Sequence, residues 1–177
     1  VLANGPKAEV KGAELELDYL ATENLRLRFA GAYLDSEYTD FIDKNPVTNV
    51  VNADNTGNSL VRSPKYTIGV GGEYTFNLND GARIVVGTDA SYSDREYFLV
   101  NRQDYSVDPI LSQKSYTLWN ANIGYHSANN KYQVNTYVKN LLNEEYQVHG
   151  RPNGPAGQYV LTYGNPRQVG VSLTAKF

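Results

Sequence analysis

Along most of the chain, apolar and polar side chains alternate one for one. Leu15, Leu17 and Tyr19 interleave with Glu14, Glu16 and Asp18, and Leu25, Leu27 and Phe29 with Arg26 and Arg28. Tyr66, Ile68, Val70 and Tyr74 interleave with Lys65, Thr67, Gly69, Gly71 and Glu73, and Ile84, Val86 and Tyr92 with Arg83, Asp89 and Ser91. Trp119, Ala121, Ile123 and Tyr125 do so with Asn120, Asn122 and Gly124, and Tyr132, Val134, Thr136 and Val138 with Gln133, Asn135 and Lys139. At the end of the chain Val169, Val171, Leu173, Ala175 and Phe177 interleave with Gly170, Ser172, Thr174 and Lys176. A period of two belongs to a strand with one apolar face, so the pattern predicts about seven strands and no helix.

The connections between these strands come in two kinds, strictly in turn. Thr22–Asn24, Asn77–Gly81 and His126–Lys131 are short and carry turn residues, while Ser36–Ser59, Asp94–Lys114 and Gln147–Tyr159 are long and polar. Loops of about 15 residues or more are uncommon in compact soluble domains. Outer-membrane barrels have this asymmetry, with short periplasmic turns and long outer loops. Alternation alone also fits a soluble β-sandwich. Two features favour a membrane. The strands are about ten residues or more, the length a tilted strand needs to cross a bilayer. Aromatics on the apolar positions gather at the strand ends: Tyr19, Tyr74, Tyr125 and Tyr132 beside the short turns, and Tyr33, Tyr66 and Tyr92 toward the long loops. Two such girdles mark the two lipid–water boundaries. The expected fold is all-β: an antiparallel transmembrane β-barrel, of which this chain supplies a part.

Composition narrows the picture further. Tyr numbers 15 against 5 Phe and 1 Trp, an excess that suits half-apolar, half-wet surfaces rather than a dry core. A mean hydropathy of −0.50 is compatible with membrane strands, because alternating faces average out. No run of 18 apolar residues exists, so no transmembrane helix is expected. The net charge of −3 gives no basic footprint for nucleic acid, and the absence of Cys excludes disulfides and thiolate metal sites. The chain begins at Val1 without a signal peptide, as expected of a fragment.

Candidate chemistry is sparse. The two His residues are His126, in a short turn, and His149, in the last long loop, so a catalytic triad is not expected and the chain reads as a non-enzyme. Asn52–Gly57 has a faint calcium-loop spacing, but its twelfth position would be Ser63 rather than Glu, and no metal or other cofactor is expected. Glu14, Glu16 and Asp18 read as a structural charge ladder facing Arg26 and Arg28 across the first hairpin, with Asp18 opposite Arg28. Gly69–Gly72 falls inside a strand and makes room there rather than holding phosphate. His149 and Arg151 are candidate contacts for an anionic ligand.

Several segments carry a family resemblance. Val138–Tyr146, with Asn140, Leu141, Asn143 and Tyr146, resembles the "V-x-N-L-x-[DN]-x-x-Y" element near the end of TonB-dependent receptors. Gly164–Phe177, with its Pro-Arg and terminal Phe, resembles that family's last strand; Lys11–Glu16 and Leu60–Lys65 are similar to earlier elements. The resemblance implies a barrel of about 22 strands closed around a plug, located in the outer membrane of a Gram-negative cell. This chain, residues 1–177, would form its C-terminal part, with the plug, the TonB box and the earlier strands lying outside it. It also implies partners: the TonB complex through that missing region, the surrounding lipid, a small-molecule ligand, and the barrel-assembly machinery. That machinery would read Val169, Val171, Leu173 and Phe177. The implied function is energised uptake of a scarce nutrient, such as a siderophore–iron chelate, a cobalamin-like cofactor or an oligosaccharide. The alternatives are a complete eight-stranded structural or adhesive barrel and a soluble β-sandwich binding module. The "N-L-L-N-E-E-Y" run has a structural reading of its own: Asn140 and Asn143 bond neighbouring backbone and end a strand, and Tyr146 anchors the loop that follows.

Overall fold

The structure, a computed structural model, describes residues 6–45, 47–100, 110–153 and 157–176. Its strands in chain order are β1 (Lys7–Leu20), β2 (Leu25–Asp40), β3 (Ile42–Lys44), β4 (Val51–Asp54), β5 (Tyr66–Asn77), β6 (Arg83–Ser93), β7 (Glu96–Tyr97), β8 (Ser112–Gln113), β9 (Tyr116–His126), β10 (Tyr132–Lys139), β11 (Gln147–Pro152), β12 (Tyr159–Tyr163) and β13 (Gln168–Ala175). Seven of them form one antiparallel sheet in the order β1-β2-β5-β6-β9-β10-β13. Each neighbour in that order is also the next long strand in sequence, so the sheet is a pure meander.

The short turns explain why the strands pair as they do. The Thr22 hydroxyl accepts from the backbone N–H groups of Asn24 (3.2 Å) and Leu25 (3.0 Å), closing the first hairpin. Asp80 accepts from the Ala82 N–H at 2.9 Å beside Gly81, whose φ of +83° belongs to the left-handed region. Asn129 accepts from the Lys131 N–H at 3.0 Å, next to Asn130 at φ +54°. These are the residue types that bond their own backbone and tolerate a left-handed φ. The Asn77 amide donates to Asn24 Oδ1 at 2.9 Å, tying two of the turns together.

Register follows from the turns, and it separates the two faces cleanly. Asp18 lies opposite Arg28, Arg28 opposite Gly71, Gly71 opposite Asp89, and Asp89 opposite Asn120. That row is polar. The next row reads Leu17, Phe29, Val70, Ala90 and Trp119, and it is apolar. The apolar face is open: Leu17 is 54% exposed, Ile123 51% and Leu173 76%. Exposed apolar surface of this extent marks contact with lipid or another protein. Tyrosines stand toward the two ends of the strands, with Tyr33 and Tyr66 paired at a ring distance of 5.3 Å on the long-loop side. On the polar face, glycines let long side chains lie across the neighbouring strand. A Cβ on Gly170 would come within 2.4 Å of the Tyr137 ring, and one on Gly87 within 2.5 Å of Asn122 Oδ1.

Two features differ from the sequence reading. β2 runs on to Asp40, into the segment expected as loop, because Tyr38 and its neighbours keep pairing with β1. The long connections also contain structure of their own: the ribbons β3–β4, β7–β8 and β11–β12. As for the alternative folds, β1 pairs only with β2 and β13 only with β10, so the described sheet does not close as an eight-stranded barrel. No second large sheet covers its apolar face among the described residues, as a sandwich would require.

Candidate functional site

All three long connections leave the same end of the sheet, and they are folded onto one another. A small apolar centre holds the second to the third. Phe98 and Leu111 are 7% and 3% exposed, and the Phe98 N–H donates to the Leu111 carbonyl at 2.9 Å. Gly150 admits them: a Cβ there would lie 2.9 Å from Leu111 Cδ2, 3.0 Å from Phe98 Cδ2 and 3.2 Å from Leu161 Cδ2. The Gln147 N–H donates to Gln113 Oε1 at 2.6 Å, joining β11 to β8.

Arg62 links the first connection to both others. Its backbone has a left-handed φ of +54°, its N–H donates to the Tyr97 carbonyl at 2.9 Å, and its Nη2 donates to His149 Nδ1 at 2.7 Å. A guanidinium has only donors, so this imidazole carries its proton on Nε2. The Phe98 ring stands edge-on to His149, with centroids 6.3 Å apart. Glu96 shares this neighbourhood; burial pushes its carboxyl above the usual range and the charge of Arg62 pulls it partly back. Arg151, two residues along β11, is exposed. Gln147 Oε1 is buried with no hydrogen-bond partner among the described residues. Charge of both signs, an imidazole and a spare acceptor therefore converge at the loop end. Among the described residues no three His, Cys, Asp or Glu are placed to hold a metal.

Just below, the Asn140 segment closes β10. Asn140 is 5% exposed at φ +50°. Its amide donates to the carbonyls of Glu144 (2.8 Å) and Asn165 (3.1 Å), and its Oδ1 accepts from the Glu144 N–H at 2.8 Å. Asn143, at φ +56°, accepts from the Arg167 N–H at 2.9 Å. The Leu141 N–H donates to the Trp119 carbonyl at 2.7 Å. Tyr146 stacks on Tyr116 at 4.7 Å, and its carbonyl accepts from the Gly164 N–H at 2.8 Å. The segment is thus a backbone clamp that sets where the last long connection leaves β10 and re-enters at β13.

The family model described as "TonB dependent receptor-like, beta-barrel" matches residues 1–141. The chain belongs to the TonB-dependent receptors. Members of this family are outer-membrane receptors and transporters of Gram-negative bacteria. Solved structures agree on the fold. The ferric yersiniabactin uptake receptor FyuA from Yersinia pestis is similar at a TM-score of 0.79 and 22% identity, over 100% of this chain and 25% of that one. The siderophore receptor PiuA from Acinetobacter baumannii is similar at 0.70 and 23%, over 94% and 21%. BauA, the ferric preacinetobactin receptor of the same organism, is similar at 0.69 and 20%, over 96% and 22%. No curated protein sequence matches. This TonB-dependent receptor chain therefore spans about a quarter of the length of such structures.

The remaining residues singled out in this receptor segment fall as follows. Asp18 takes the guanidinium of Arg26, with Nε donating to Oδ1 at 2.8 Å, while Arg28 lies directly opposite Asp18. Glu16 and Glu14 lie opposite Ala30 and Ala32, so they share the polar face with the arginines without meeting them strand to strand. Two-residue steps along an antiparallel pair carry them away from the turn that brings Arg26 and Arg28 close. Val169, Val171 and Leu173 are exposed on the apolar face. Phe177 lies outside the described residues. Sequence reasoning found His149 but missed Arg62, whose role depends on a left-handed backbone that no residue type announces. Phe98 and Leu111 were the more readable signal, large apolar side chains inside a long connection.

Proposed function

We propose that this chain is the C-terminal part of a TonB-dependent receptor that imports a scarce nutrient across the outer membrane, most specifically an iron chelate. The observation that carries this reading is the folding of the three long connections into one cluster at one end of a lipid-compatible sheet. In this arrangement the apolar face meets outer-membrane lipid, the polar face lines the lumen, and the loop cluster faces outside. Arg62, His149 and Arg151 supply donors for an anionic ligand, and the Gln147 oxygen supplies an acceptor. Iron is the favoured cargo because the similar structures include receptors named for ferric yersiniabactin and ferric preacinetobactin. TonB works through a region outside residues 1–177, where the plug also lies. The last strand, with Val169, Val171, Leu173 and Phe177, engages the barrel-assembly machinery. The protein is a transporter, not an enzyme.

Two measurements test this. Iron-limited cells carrying the full-length receptor should take up one of a panel of labelled ferric chelates, and disrupting TonB should abolish that uptake. Uptake of cobalamin or an oligosaccharide, but of no chelate, would move the ligand class. For sidedness, protease added to intact cells should cut within 36–59 or 94–114 and spare the turn Asn77–Gly81. Cutting confined to the short turns would reverse the topology.

A further inference from the structure

The short-turn end of the polar face carries positive charge that its own sheet does not answer. Asn77, Arg83, His126, Gln133 and Thr174 stand side by side there, on β5, β6, β9, β10 and β13. Two-residue steps along β6 put Arg83 on the same face as Asp89. The His126 ring leans along the wall, with Nε2 3.6 Å from where a Cβ on Gly124 would be. Lys176 and Lys131 extend the row beyond Thr174; both are exposed, and the Lys176 N–H donates to the Lys131 carbonyl at 2.9 Å.

The acids of this face are engaged or remote. Asp18 takes the guanidinium of Arg26, and Glu73 lies opposite Arg26 in the register. Asp89 accepts from the Asn120 amide at 2.7 Å, and Asp80, in the turn before Arg83, accepts from the Ala82 N–H at 2.9 Å. Glu23, in the first turn, is separated from β6 by β2 and β5. Among the described residues no carboxylate comes within 4.0 Å of the Arg83, Lys131 or Lys176 nitrogens. Arg83 Nη2 faces His126 Nδ1 at 3.5 Å, a long contact that engages one of the guanidinium's five N–H groups.

Water hydrates this row while the face is open, and a body fitted closely against it withdraws that water. An arginine cannot shed its proton in response. A charge covered without a partner is costly, so the covering body is favoured if it brings a negative group to that spot. We propose that the plug docks on this row through an Asp or Glu that lies outside residues 1–177 and forms an ion pair with Arg83. The chain spans about a quarter of the length of the similar receptor structures, so most of the receptor is available to supply that carboxylate. The proposal rests on reading the polar face as the lumen wall, and it adds a contact point and the chemistry of the partner.

The test uses the full-length receptor in detergent, without ligand. Arg83→Lys keeps the cation and introduces a primary amine, which a carbodiimide joins to a carboxylate only where the two touch. Mass spectrometry of the digested protein should find position 83 linked to an Asp or Glu outside residues 1–177, and the link should vanish when the receptor is denatured before treatment. Arg83→Glu should raise the ion conductance of the receptor in planar bilayers while its heat-modifiable barrel remains. Reversing the cross-linked carboxylate to Lys in that background should bring the conductance back down. Links confined to carboxylates within residues 1–177, such as Asp80 or Glu73, overturn the docking, as does the absence of any link. An Arg83→Glu receptor that conducts like the native one but takes up less of a labelled ferric chelate also overturns it, and makes the row an exit contact for cargo. Cross-linking needs neither cargo nor TonB, so docking and the iron-chelate reading can fail separately.

Discussion

Val171→Arg is expected to cost about 2–4 kcal/mol, the penalty for a cation aimed at the middle of the hydrocarbon layer. Val171 stands opposite Thr136 at the centre of β13 and is 63% exposed on the apolar face, between Val169 and Leu173. Ser172→Arg adds the same side chain one residue later, opposite Asn135 on the polar face, and is expected to assemble nearly as well as the native receptor. The fraction of full-length receptor running as heat-modifiable barrel in outer membranes measures both. Equal assembly of the two variants would mean that the faces have been assigned wrongly, because nothing but the direction of the side chain separates them.

A large effect is also expected from Asn140→Ala. The native amide serves two carbonyls and one N–H around a position that is 5% exposed, and its loss leaves the backbone groups of Glu144 and Asn165 without these part-buried bonds. Each such bond contributes about 0.5–1.5 kcal/mol net. Ala adds a further penalty of roughly 1–2 kcal/mol at a left-handed φ. Asn140→Gly removes the second cost and keeps the first, so it should fall between Ala and the native protein. Denaturant unfolding of the refolded receptor in detergent gives the order. Ala and Gly variants of equal stability would show that the backbone conformation relaxes, and native-like stability in both would show that the clamp holds nothing.

These two predictions differ in how far the sequence foretold them. The facing of Val171 and Ser172 was legible directly, since period two and a row of five same-side apolar residues leave little choice of face. The first hairpin was legible to the residue: a three-residue turn at Thr22–Asn24 puts Asp18 opposite Arg28, and the structure pairs them so. What the turn could not reveal is which arginine the carboxylate takes, because the ion pair runs diagonally to Arg26. The Asn140 segment announced a strand end by its residue types, but not its reach to Asn165, which the chain brings back only after a long excursion. The loop ribbons were the least legible. Their pairs, such as Glu96 with Gln113 and Arg151 with Val160, are short, mixed in character and without a continuous apolar face. The order of β7–β8 and β11–β12 comes from packing around Phe98 and Leu111 rather than from local pattern.

The glycines of the polar face carry a consequence for movement along it. Tyr137 lies over Gly170 and Asn122 over Gly87, and the Arg28 side chain passes 3.9 Å from where a Cβ on Gly71 would be. These three long side chains are thus folded down toward glycine positions instead of standing up as posts. A body sliding along the strands past them would meet a flat ring, an amide and a guanidinium lying low. At these crossings it would find polar groups to bond with and a lowered steric step. In mechanical terms these crossings are smoothed places on a track, and filling one, as Gly170→Val would do, raises a ridge across it.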